Sequence, residues 1–362
     1  MIDKKICDWL MNNADVPVRF RVARELLRDE TAAKYLENEL LENSVVRLWL
    51  GNLTPNDPPQ HWSMEHGSFD FNLENAMSKV TKLGLHSRIA QVRDAVSLYL
   101  DRLEKSNRES ANRRNVRDDF RAILTANFLV SAGLTDGFIV DFLLKSLNEI
   151  YDFVSRGLYD IYINADERAR LRGVPKNWKN TEYFIKPELF DRYGFCYPLI
   201  YDIIGLSKLY TLDNRDVDIK VNSVLDYVTS DDFHANISDG YGILIVDGGK
   251  KYHGMGWDPK YPAWGDVDDY LANKNVPKLL FFAEHIVKYP AAKKTKWFAD
   301  LMHSLERYRT ENGTYIFPKE WMKESVGYAV QGHHMSFGES RRKKNWIEIE
   351  STFYMQLLTQ ST

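Results

Sequence analysis

FRAILTANFLVSAGL, residues 120–134, followed after a polar break by Ile139, Phe142, Leu143, Leu147, Ile150 and Val154, decides the fold of this chain. The first segment is apolar on nearly every side of a helical projection, so it predicts a helix buried on most of its surface. The second set recurs at spacings of three and four, the signature of a helix with one apolar face. Gly133 stands between them, where a helix ends in a left-handed residue. An inner helix, a tight turn and an outer helix make one unit.

The same unit recurs in both directions. NLENAMSKVTKLGL (72–85) precedes Val92, Val96, Tyr99, Leu100 and Leu103; PLIYDIIGLSKLY (198–210) precedes Val217, Val221, Val224, Leu225 and Val228; KLLFFAEHIVKYP (278–290) begins another pair, and WIEIESTFYMQLL (346–358) is a last inner helix. Turns are expected near Gly84, Gly133 and Pro290. The intervals are irregular, whereas open solenoids stack repeats of near-constant length. Long connectors rich in Gly, Pro and aromatics, 54–71 and 239–266, are expected to build up one rim. Within the second, ILIV at 243–246 has the composition of a short strand, but period-2 alternation is too rare for a sheet to be expected.

A chain of 362 residues with 44% hydrophobic and 27% charged residues has ample material for a core. The net charge of −3 gives no global electrostatic reason to bind nucleic acid or an acidic membrane. The two cysteines, Cys7 and Cys196, form neither a disulfide framework nor a metal knuckle. No apolar run reaches the roughly 18 residues of a membrane span, and MIDKKICDWLMNN does not read as an export signal. A cytoplasmic location is expected.

Together WLMNNADVPVRFRVARELL (9–27), HGSFDFNLENAMSKVTKLGL (66–85), the inner-helix endings LVSAGL and IIGLSKLY, ENGTYIF (311–317) and NWIEIESTFYMQLL (345–358) resemble the prenyltransferase and squalene-cyclase type of α/α toroid, especially small bacterial members. The resemblance implies an all-α fold, an α/α toroid of helical hairpins. It makes 1–362 one domain, with 1–60 supplying N-terminal helices that pack on the ring. The glutamine–tryptophan repeats of squalene cyclases are degenerate here, with Ser63 and Arg309 at Gln positions and Phe69 and Tyr315 at Trp positions. Neither a DDxxD motif nor the zinc triplet of protein prenyltransferases is found, and no cofactor or metal is expected.

Asp266-Val267-Asp268-Asp269 matches the DxDD string of class II terpene cyclases, and the resemblance makes Asp268 the general acid, kept protonated by its neighbours Asp266 and Asp269. Helix capping is the ordinary use of such a string. In a toroid the inner-helix N-termini converge on one mouth, which places Asp70, Glu74, Arg117, Arg121, Tyr197, Tyr201, Asp202, Trp346, Glu348 and Glu350 around a cavity; each acid is otherwise a first-turn charge. His253, Trp257, Asp258, Tyr261 and Trp264 supply aromatic walls, suited to apolar ligands or carbocations, or else anchor a loop. His61, Trp62 and His66 have the same two readings. His333-His334 forms a metal site only with a third ligand such as His253 or Glu339. The run Arg341–Lys344 is a phosphate contact or a solvated loop, and Cys196 is a nucleophile paired with His253 or a core residue.

The leading expectation is a central cavity that binds or transforms a small, largely apolar metabolite, an isoprenoid by resemblance, with Trp257, Trp264 and Tyr201 stabilising a cation. A non-catalytic helical scaffold for protein or nucleic acid is the alternative. A carbohydrate-active toroid with paired carboxylates is the third.

Overall fold

The computed structural model describes residues 3–53, 66, 72–108, 116–171, 174, 178, 183–191, 194–238, 242–247, 252–257, 267–273, 276–324 and 334–360, without the side chains of 116–117, 191, 194, 245–247, 252–257, 269 and 273. The described residues make an all-α protein. Its helices are α1 (Lys4–Asn13), α2 (Val16–Arg21), α3 (Glu30–Glu42), α4 (Ser44–Leu53), α5 (Leu73–Lys82), α6 (Ala90–Arg108), α7 (Val116–Ser131) and α8 (Gly137–Val154). They continue with α9 (Ala165–Arg170), α10 (Ile200–Leu206), α11 (Arg215–Thr229), α12 (Asp231–Asn236), α13 (Val267–Asn273), α14 (Val276–Ile286), α15 (Lys296–Glu306) and α16 (Trp346–Thr359). None of the described helices is long and apolar enough to cross a membrane.

Two compact units divide the chain. The first comprises Met1–Arg102, Phe128–Thr135 and Asp266–Thr362; the second comprises Leu103–Asn127 and Asp136–Gly265. In the first, α2 packs on α3, α4 on α5, and α16 on α1 and α14. Helix α16 buries every residue from Ile349 to Leu358, the polar Glu350, Ser351, Thr352 and Gln356 included. Helix α5 buries Leu73, Ala76, Met77 and Val80, and with them Glu74, Lys79 and Lys82.

The expected turns are present, and two are built identically. After α5, Leu85 N donates to Val80 O at 2.9 Å and Gly84 N to Thr81 O at 3.0 Å; after α7, Leu134 N donates to Leu129 O at 3.1 Å and Gly133 N to Val130 O at 2.8 Å. Each is a Schellman closure with a left-handed glycine, at φ +95° for Gly84 and +86° for Gly133. A Cβ on Gly84 would also lie 2.8 Å from Arg21 Cγ, so the glycine lets the turn close over that side chain.

In the second unit, α8 lies along α11. Both bury the apolar positions read from the sequence: Ile139, Phe142, Leu143, Leu147, Ile150 and Val154 on α8, and Val217, Val221, Val224, Leu225 and Val228 on α11. Helix α10 meets Asn127 at Gly205, where a Cβ would stand 2.9 Å from Asn127 Cα. The aromatic connector departs from the expectation of a sheet-free chain. β1 (Phe184–Ile185) runs parallel to β4 (Gly242–Asp247), which pairs antiparallel with β5 (Tyr252–Trp257); β2 (Phe190–Asp191) and β3 (Gly194–Phe195) form a separate pair. One β-branched run, ILIV, sufficed to found the sheet, because its partners lie far away in sequence or carry no alternation of their own.

Candidate functional site

The first unit holds an unusual core: charged side chains from six segments meet beside an apolar recess. Arg21 begins it. Its guanidinium binds Glu25 through Nε and Nη2, at 3.1 and 2.8 Å, and donates from Nη1 to the Lys82 carbonyl at 3.0 Å. Its faces lie against the rings of Phe337 and Phe353, 5.4 and 5.0 Å from their centroids. The short π-helical turn Val22–Leu27 carries Arg24 and Glu25, which also pair; Arg24 Nη1 reaches Gly84 O at 2.6 Å.

From α5, Lys82 Nζ donates to Glu284 Oε2 on α14 at 2.6 Å and sits 4.8 Å from the Phe337 centroid. One turn earlier, Lys79 pairs with Glu324 and donates to Ser336 O at 3.0 Å and Ser336 Oγ at 2.7 Å. On α16, fully buried Glu350 accepts from Phe337 N at 3.0 Å through Oε1 and from Arg341 Nη1 at 3.0 Å through Oε2. Arg341 in turn lies 3.8 Å from the Trp346 ring centroid. His334 Nε2 is 3.6 Å from Glu350 Oε2, too long for a hydrogen bond.

Burial favours the neutral form of every carboxylate here, and the adjoining cations outweigh it. Arg21 and Arg24 hold Glu25 at about 2 against burial, and Lys79, with Ser336 and Arg341, does the same for Glu324, also at about 2. Lys82 and Arg21 hold Glu284 well below the usual carboxylate range, and His334 and Arg341 lower Glu350. Burial pushes the His334 imidazole below its ordinary value, with Glu350 opposing, so the ring is neutral at pH 7.

Beside this network lies a narrow recess that opens to solvent and whose enclosed part has room for about one water molecule. Leu280, Phe281 and Pro277 of α14 form one wall; Met322, Met335 and Phe337 form another; Tyr354, Lys82 and His334 are the polar members. Tyr354 Oη is occupied, donating to Leu280 O at 2.6 Å.

Of the residues singled out from sequence, Glu350, Trp346, His334 and Arg341 belong to this network. Glu74 is buried in the first turn of α5, with Oε2 2.7 Å from His66 Nδ1, and Glu348 accepts from Thr314 Oγ1 at 2.6 Å. In the second unit, Asp202 is a cap: its oxygens accept from Leu199 N at 2.7 Å and Asn127 Nδ2 at 3.1 Å, and burial raises it to about 7. Tyr201 packs edge-on to Phe120 at 5.5 Å and Tyr197 to Phe153 at 6.0 Å, both as buried core, while Arg121 pairs with Asp118. Cys196 is partly exposed.

The DxDD reading needs correcting at its central residue. Asp268 is exposed, accepts from Ser304 Oγ at 2.7 Å and from Arg307 Nη2 at 3.0 Å, and those two bonds lower its pKa. That is a surface ion pair kept ionised, the opposite of a protonated general acid. His253 and Trp257 lie on β5, with His253 opposite Val246 and Trp257 opposite Gly242. Asp70, Asp258, Tyr261, Trp264, Asp266, His61, Trp62, His333 and the side chains of His253, Trp257, Arg117 and Asp269 lie outside the described residues. No three His, Cys, Asp or Glu residues among those described are grouped to hold a metal, and His334 faces Glu350 and Arg341 instead.

Lys79, Lys82, Arg21, Glu25 and Glu284 were not singled out by the sequence reading, although a signal for them existed. Each interrupts an apolar helical face, and a charge at a core position must have a partner. A scan against protein-family models and searches of curated proteins and of solved structures find no match to this chain.

Proposed function

We propose that the chain binds a small, largely apolar metabolite in the recess between α14, α16 and the 334–337 segment. The observation that carries this reading is the combination of a wall of Phe281, Phe337, Met322, Met335 and Leu280 with only two polar side chains at its base that retain hydrogen-bonding capacity, Lys82 and His334. Small-molecule sites have this composition, mostly apolar with few convergent polar groups. Methionine suits the role because its flexible thioether adapts to a ligand's outline.

The size of the recess limits the ligand. Its enclosed part has room for about one water molecule, and the rest opens to solvent. A single ring or one isoprene unit therefore enters only where the flexible Met322 and Met335 side chains move aside. The resemblance to toroid enzymes of isoprenoid metabolism agrees with an apolar ligand, and that agreement is one of fold-level analogy. Each methylene withdrawn from water contributes about 0.8 kcal/mol, so a body of this size supports binding without help from the connectors.

Methionine-methyl NMR tests the reading directly. With ¹³C-methyl methionine in the full chain, small aromatic compounds are expected to shift the Met322 and Met335 methyl resonances saturably while leaving Met11 unmoved. Ligands that bind without moving Met322 and Met335, or a fragment set of this size in which nothing binds, would remove the proposal.

A further inference from the structure

We infer that Glu339 is a proton-operated fastening between the 338–343 loop and the corner where α1 meets α2, tight while its carboxyl is protonated and loosened when it ionises. The inference is independent of what the recess binds. It begins with a count of charges at the corner. Lys343 Nζ directs its three hydrogens to Asn13 O at 2.9 Å, Asp15 Oδ1 at 2.7 Å and Glu339 Oε2 at 3.2 Å. Two carboxylates therefore share one ammonium whose donors are all in use. Each acid also holds the other's segment by its backbone: Asp15 N donates to Glu339 Oε1 at 2.6 Å, and Ser340 N to Asp15 Oδ2 at 2.8 Å. Asp15 keeps 29% of its side chain exposed, whereas that of Glu339 is fully buried. When two carboxylates share a site one of them takes up a proton, and burial selects Glu339.

The other charged groups of the surrounding elements are engaged elsewhere or exposed. On α2, Arg19 pairs with Glu39 and Arg21 with Glu25; on α5, Lys79 pairs with Glu324 and Lys82 with Glu284; on the loop, Arg341 pairs with Glu350. Lys4, Lys5 and Asp8 of α1 are exposed, as are Arg342 and Lys344, and Glu348 of α16 accepts from Thr314. Burial, joined by the Asp15 charge, raises Glu339 from 4.5 to about 7, against the Asp15 N–H and Lys343. Below that value the carboxyl is neutral, Lys343 answers Asp15 alone, and Oε1 still accepts from Asp15 N. Above it, a second buried charge faces Asp15 across a single lysine. The loop so fastened is closely seated, since a Cβ on Gly338 would lie 2.7 Å from Leu83 Cδ2 and 2.9 Å from Pro17 Cγ. It leads straight on from the 334–337 wall, so loosening it acts on Met335.

Urea unfolding of the full chain and of Glu339→Gln between pH 4.5 and pH 8.5 tests the proton. All other titrations are common to the two chains and cancel in their ratio, while a packing effect of the amide is a constant offset. A carboxyl raised in the folded state favours folding below 4.5, and that contribution is lost as pH rises to about 7. The unfolding constant of the native chain relative to the variant is therefore expected to rise at least tenfold from pH 5 to pH 7.5 and then level. A flat ratio, or one that falls as pH rises, as an ionised partner of Lys343 would give, overturns the proposal. The Met335 methyl resonance reads the loop: it is expected to shift with one midpoint between pH 6 and pH 8 in the native chain and not in the variant. A methyl that stays still, or moves alike in both chains, would overturn the fastening as a device acting on the wall. Should Glu339→Gln not fold, Asp15→Asn, which keeps the backbone N–H and removes the like charge, is expected to lower that midpoint by roughly half a pH unit or more; an unchanged midpoint would overturn the shared site.

Discussion

Glu25→Gln isolates what the buried network contributes to folding. Glu25 accepts three hydrogen bonds from Arg21 and pairs with Arg24, and its pKa falls from 4.5 to about 2. At about 1.4 kcal/mol per tenfold change in proton affinity, that difference is about 3 kcal/mol. The side chain keeps 21% of its surface exposed, so solvent screening brings the expected loss to about 2–3 kcal/mol at pH 7. The sign with pH follows from the lowered value. A carboxylate whose folded pKa lies below its unfolded one contributes fully above 4.5 and loses that contribution as pH falls toward 2. Urea unfolding of the native chain and of Glu25→Gln, followed by tryptophan fluorescence between pH 7 and pH 3, should therefore give curves that are separated at neutral pH and converge on acidification. A difference under about 1 kcal/mol at pH 7, or a gap that stays constant down to pH 3, would refute the claim that Arg21 and Arg24 depend on this carboxylate.

Three further outcomes are expected. Gly84→Ala forces a left-handed alanine and places its Cβ 2.8 Å from Arg21 Cγ, so it should destabilise by about 2 kcal/mol, read as a lowered melting temperature. Gly205→Ala meets the Asn127 backbone at 2.9 Å, which two crossing helices cannot relax cheaply; a loss of about 1–3 kcal/mol in denaturant unfolding is expected, and a neutral effect would contradict the close approach of α10. Asp268→Asn should leave the affinity for any ligand of the recess unchanged by calorimetry, because its partners are Ser304 and Arg307 at the surface; a tenfold loss would return the DxDD string to consideration.

Helix identity and turn position were legible because they depend on local signals. The three-and-four spacing of α8 and α11 names their buried faces residue by residue, and Gly84 and Gly133 mark closures that need a left-handed backbone. The sheet was less legible: β1 joins β4 across almost sixty intervening residues, and no short-range pattern reports such pairing. The site was legible at Glu350 and Trp346, found for their place at the start of an inner helix, and at His334 and Arg341, which were read as a metal ligand and a phosphate contact instead of as members of one network. Lys82 and Glu284 are two hundred and two positions apart, and nothing local says that one lysine of α5 faces one glutamate of α14. The same limit explains Asp268. Its motif is visible in four letters, whereas the Arg307 that keeps it ionised lies on a different segment.

The network itself argues that this core is kept for use. Buried ion pairs are poor sources of stability, since desolvation offsets most of their attraction and well-packed apolar replacements are often as stable or more so. A helix such as α5, placed only to fill a core, would carry leucine or methionine where Lys79 and Lys82 stand, and α14 would do the same at Glu284. Instead Lys79 is saturated, by Glu324 and both oxygens of Ser336, while Lys82 keeps donors in reserve at the recess. The difference between the two lysines of one helix is informative. Lys79 acts as a strut that fixes the 334–337 segment, and through it the position of His334; Glu350 fixes the same segment from α16 by accepting from Phe337 N. Two struts hold in place one wall of the recess, and Lys82 and His334 stand where those struts direct them, an arrangement that packing alone does not require.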